Sequence, residues 1–77
     1  MASRTGQIRL TRESLDAIEA HVQPRLNGRL CNFRLLVVDG SLVLSGMTHT
    51  YYAKQLTQHA VMEAIDLPIR ANEIEVV

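Results

Sequence analysis

Leu35-Leu36-Val37-Val38-Asp39-Gly40-Ser41-Leu42-Val43-Leu44-Ser45-Gly46 decides the fold. Two apolar runs flank an Asp-Gly pair. A two-residue type I′ turn needs φ > 0 at both central positions, and Asp followed by Gly tolerates this better than almost any other pair. The stretch predicts a β-hairpin in which Asp39, Gly40 and Gly46 have structural turn roles. Asp39 and Gly40 make the turn, and Gly46 is the small residue at which the chain bends out of the second strand.

Upstream, Asn27-Gly28 is a second turn signal, and Arg29 to Val38 favours a strand. Strict alternation puts Cys31, Phe33, Leu35 and Val37 on one face, which is uniformly apolar and should meet the helices. Leu30, Asn32, Arg34, Leu36 and Val38 take the other face. That face begins polar and ends apolar, so its Leu36–Val38 end calls for cover, such as a second subunit. Cys31 is the chain's one cysteine, so no internal disulfide forms, and its place on the apolar face reads as a small buried hydrophobe. In the returning strand Leu42 and Leu44 alternate with Ser41, Val43 and Ser45.

Further upstream, residues 1–7 are small and polar and predict a flexible N-terminal tail ahead of a single domain over 8–77. Thr11 reads as an N-cap with Glu13 in the first turn, and Leu10 and Leu15 are placed to form a hydrophobic staple. Leu15, Ile18 and Val22 give one apolar stripe, with Glu13, Asp16 and Glu19 mainly elsewhere, and Pro24 limits the helix to roughly 11–22. Downstream, Tyr51 to Leu67 contains no Gly or Pro and predicts a long helix closed by Pro68. Ala53, Leu56, Thr57, Ala60, Ala64 and Leu67 share its inner face, widened by Val61. Tyr51, Gln55, Gln58 and Met62 project from the opposite one. Ile69 to Val77 supplies a last strand, with Asn72, Ile74 and Val76 alternating against Glu73, Glu75 and Val77.

The order is αββαβ. A helix between two strands of one sheet permits a parallel crossover, so the expected fold is an α+β two-layer sandwich: a three-stranded mixed sheet with two helices on one face.

Composition narrows the function classes. The 77 residues are 47% hydrophobic and 21% charged, with eight Lys and Arg against eight Asp and Glu. That is an ordinary globular composition for one domain, and the zero balance argues against a nucleic-acid partner. The halves differ, however. Residues 1–38 hold six Arg against three acids, and residues 39–77 hold two cations against five acids. Opposed halves suit an anionic surface, or head-to-tail or antiparallel association into a homo-oligomer. No run approaches the length of a secretory signal core or a transmembrane segment, which predicts a cytoplasmic chain, at most peripheral to a membrane.

Catalytic and metal-binding patterns are weak. His49 and His59 are ten residues apart, about 15 Å along a helix, and cannot share a metal there. Ser41 and Ser45 lack a nucleophile elbow, no Gly-rich phosphate loop occurs, and no Gly-x-x-Gly clamp supports RNA binding. The sequence points to no enzyme and calls for no cofactor.

Val37-Val38-Asp39-Gly40-Ser41-Leu42-Val43-Leu44-Ser45-Gly46, the helix with inward Ala53 and Ala60, and Asn72-Glu73-Ile74-Glu75-Val76 together resemble the BON domain. The resemblance covers roughly residues 10–77. Asp66-Leu67-Pro68 stands where that family often has Gly-Val, and Arg70 where an apolar residue is usual. The resemblance implies a non-enzymatic binding module that contacts anionic phospholipid. In that case Arg25, Arg29 and Arg34 attract headgroups and Tyr51 sits at the interfacial level. The alternative is a protein-interaction or self-association module, with Tyr51 and Met62 marking a contact stripe.

Overall fold

The computed structural model describes residues 11–77. The expected tail and Leu10 of the staple lie outside the described residues. The elements are α1 (Arg12–Val22), β1 (Leu30–Val38), β2 (Ser41–Thr48), α2 (Tyr51–Ala64) and β3 (Ile69–Val76), with a 3-10 turn at Gln23–Leu26. The fold is α+β, with sheet order β1-β2-β3; β1 and β2 pair antiparallel, β2 and β3 parallel.

Helix α1 starts where the sequence says it should. The Thr11 hydroxyl accepts the Ser14 N–H at 3.1 Å, satisfying one of the donors that a helix start leaves open. Pro24 tightens the chain into the 3-10 turn, and Asn27 and Gly28, at φ of 53° and 78°, turn it into β1. Thr50 caps α2 in the same way, its hydroxyl accepting the Ala53 N–H at 3.0 Å. Helix α2 is shorter than its Gly- and Pro-free run. Ile65 is already extended, at φ −149°, so that Ile65 and Leu67 pack against the core as a connecting segment and Ala64 is exposed.

The hairpin forms as expected, with Asp39 at φ 52°, Gly40 at φ 76° and Val38 opposite Ser41. Leu15 and Val22 of α1, Ala53, Ala60 and Val61 of α2, and Phe33, Leu35, Leu42, Leu44 and Ile74 of the sheet belong to one core. Both helices therefore cover the same face, and among the described residues no helix packs on the other.

Strict alternation fails in β1. The register passes from Cys31 opposite Met47 to Arg34 opposite Ser45, leaving Asn32 and Phe33 facing Gly46 alone. Asn32 takes φ 54°, a left-handed conformation that Asn tolerates, and forms the extra residue of a β-bulge. The bulge inverts the pattern on its N-terminal side. Leu30 is buried and Cys31 is exposed, the reverse of the expectation for both. Gly46 does not leave the strand; it lies inside β2, where a Cβ would stand 3.0 Å from the Cys31 carbonyl oxygen and 3.3 Å from the Phe33 Cα. A side chain there would collide with the bulge. Val37 is 39% exposed although it follows the buried Phe33 and Leu35 on the covered face, whereas Leu42 opposite it is fully buried.

Candidate interaction surface

Among the described residues the sheet has two edges and one face without a helix, and side chains treat them differently. At the β1 edge Glu19 is buried on the inner face of α1, not on its solvent side as expected. Leu15 and Glu19 are four residues apart, which stacks them on one face. Glu19 Oε2 accepts the Leu35 N–H at 2.7 Å, and Arg12 Nη1 donates to the Leu35 carbonyl at 2.9 Å. Arg12 and Glu19 also pair with each other. Together they occupy backbone groups of an edge strand that another strand would otherwise use.

The β3 edge has a local device. Asn72 Oδ1 accepts the Ile74 N–H at 3.2 Å, while its amide donates to the Lys54 carbonyl and the Gln58 side chain, each at 3.2 Å. Asn72 thus ties β3 to α2.

The open face is read from the register. Leu36, Val43 and Ala71 form one row across the three strands, Arg34, Ser45 and Glu73 the next, and Cys31, Met47 and Glu75 the third. Leu36 and Val38 are 43% and 39% exposed. Val43 is 7% exposed and does not belong to the helix-covered core. The apolar centre is flanked by a cation on β1 and two carboxylates on β3. Beside the bulge, Asn32, Ser45, Gly46, Met47, Glu73 and Glu75 line a depression of about 260 Å³. A smaller one, about 110 Å³, lies at the far end of the sheet among Gly28, Cys31, Met47, His49 and Val77.

The residues proposed from sequence for a lipid or partner surface are not brought together. Arg25 pairs with Glu63 of α2 at 2.9 Å, Arg29 lines the small depression, and Arg34 lies on the open face. Tyr51 is exposed in the first turn of α2, hydrogen-bonded to Gln55 at 2.6 Å, whereas Met62 is exposed in its last turn. Eleven residues separate these two, roughly 16 Å along the axis. Asp39, Gly40 and Gly46 hold backbone positions, with Asp39 3.5 Å from Arg70 across the turn. Among the described residues, no three of His, Cys, Asp and Glu converge as metal ligands would, and no helix is long and apolar enough to cross a membrane.

Leu36 and Val43 were visible in the sequence as outward strand positions. Glu73 and Ala71 joined them only through the parallel register, which no local pattern encodes. Compared with known proteins, the chain matches no family model, no curated protein and no solved structure.

Proposed function

We propose that this chain is a non-enzymatic interaction module that binds a protein through the open face of its sheet. The observation that carries the reading is the row Leu36, Val43 and Ala71, apolar side chains on a sheet face that neither helix covers. Leu36 and, beside it, Val38 keep 43% and 39% of their surface exposed, and burying that against a partner contributes about 25 cal/mol for each Å² removed from water. The charged margins, Arg34 on one side and Glu73 and Glu75 on the other, supply the orientation that an apolar patch lacks. The lipid-binding role implied by the BON-like motifs has less support. It needs cations on one surface, and Arg25, Arg29 and Arg34 lie on three different parts of the fold, Arg25 already neutralised by Glu63.

The test is a photo-crosslinking residue placed in the full chain at Leu36 or, separately, at Met62, and irradiated in cells. A protein adduct from position 36 and none from position 62 is the expected result. No protein adduct from position 36, or lipid adducts in its place, overturns the reading.

A further inference from the structure

We infer that the occupant of the open face is a second copy of this chain, packed sheet on sheet about a two-fold axis running along β2. The inference rests on the reading that this face binds protein. Face-to-face association of two identical sheets about a two-fold axis is isologous, so the face must be complementary to itself. Two simple placements of the axis exist. An axis across the strands sets β1 over β1 and β3 over β3, which brings arginine toward arginine and carboxylates toward carboxylates. An axis along the strands sets β1 over β3 at the same level.

The second placement matches charge and shape row by row. Arg34, Ser45 and Glu73 then meet Glu73, Ser45 and Arg34 of the partner copy. One row on, the large Leu36 meets the small Ala71, and Val43 meets its own symmetry mate. The acidic depression between Ser45 and Glu75 lies where the partner's arginine arrives. Among the described residues neither Glu73 nor Glu75 forms an ion pair, and Arg34, 55% exposed, has Glu19 only at 3.9 Å. Each copy offers a loosely held cation and an unfilled acidic recess at matching positions.

Three strands about 4.8 Å apart and eight residues at about 3.3 Å each give a footprint of roughly 400 Å² per copy. That is half of the about 800 Å² per partner of a standard interface, which puts the dimer in the weak, transient class.

Sedimentation equilibrium of the purified full chain at low salt, from micromolar to millimolar concentration, tests this. Wild type should dimerise as concentration rises. Arg34→Glu and Glu73→Arg, each checked for native circular dichroism, should each weaken dimerisation at least about tenfold through like-charge contacts. Their equimolar mixture should restore it, because each facing pair between the two variants is again of opposite sign. A monomeric wild type, or a mixture that associates no better than either variant alone, overturns the inference. A monomeric wild type that dimerises once residues 1–9 are removed also overturns it, by showing that the chain's own start competes for the face. If wild type is monomeric while position 36 crosslinks to a different protein, the second-copy inference fails and the interaction reading stands. If position 36 crosslinks to no protein, both fail.

Discussion

Glu19 Oε2 lies 2.7 Å from the Leu35 backbone nitrogen, so a helix carboxylate takes the place of a neighbouring strand at the sheet edge. The same oxygen pairs with Arg12, whose other terminal nitrogen donates to the Leu35 carbonyl. Removing the carboxylate leaves the buried Leu35 N–H without its acceptor and takes from Arg12 one of the two carboxylates it pairs with, Asp16 being the other. Glu19→Ala should therefore cost about 3 kcal/mol, and Glu19→Gln, which keeps an acceptor but loses the charge, about 1 kcal/mol. Urea denaturation of the three chains measures the difference, and equal losses for both variants would show that the charge is not what matters.

The glycines of the hairpin should separate in severity. None of the described residues comes within 4 Å of a Cβ added to Gly40, so Gly40→Ala meets only the cost of a left-handed backbone, about 1 kcal/mol. At Gly46 the added Cβ would meet backbone atoms of the bulge at 3.0 and 3.3 Å, and neither can rotate away. Gly46→Ala should cost about 3 kcal/mol or more, as overpacking against fixed atoms does. In a domain of this size that lowers the melting temperature by more than about 10 °C, which differential scanning calorimetry resolves.

Cys31 should react with an aromatic disulfide reagent in the native protein, at dilute concentration, at a rate close to that of an unstructured thiol. Its exposure follows from the bulge at Asn32. Cys31→Ser should change stability by less than about 0.5 kcal/mol, as surface substitutions usually do. Protection of the thiol until the protein unfolds would contradict the inverted register.

The error at Cys31 shows how far local pattern reaches. The Asp39-Gly40 turn, the Thr11 cap and the inward Ala53 and Ala60 were all legible, because each depends on residues a few positions apart. Asn32 gave no comparable signal. A bulge is decided by how β1 meets Gly46, fifteen residues or so along the chain, and in the sequence Gly46 reads as a bend, whereas in the sheet it admits the bulge. Glu19 differs for another reason: it reads as lying mainly off the stripe of Leu15, Ile18 and Val22, and its burial depends on the Leu35 N–H at the β1 edge, which no pattern within α1 encodes. The candidate surface was half visible. Leu36, Val43 and Arg34 are hairpin positions, whereas Ala71 and Glu73 join them only across a parallel crossover.

Asn72 should be intolerant of its nearest isostere. Its amide donates to the Lys54 carbonyl and to Gln58 while its oxygen takes the Ile74 N–H. Asn72→Asp keeps the acceptor but turns a donor toward a carbonyl into a second acceptor, so it should cost more than Asn72→Ala, itself about 1–2 kcal/mol. Urea midpoints of the two variants give the order, and a less damaging Asp would show that the tie to α2 contributes little.

The bulge also makes β1 a strand of two phases joined at one residue. Losing the single codon for Asn32 would set Phe33 alone opposite Gly46 and keep Cys31 opposite Met47 and Arg34 opposite Ser45, so the strand would run on without a break, Leu30 still inward and Cys31 still outward. The extra residue is what lets β1 present Leu30 on one side of it and Phe33 and Leu35 on the other to the same helices, so an unbroken alternation of apolar residues in the sequence folds as two shorter runs of opposite parity.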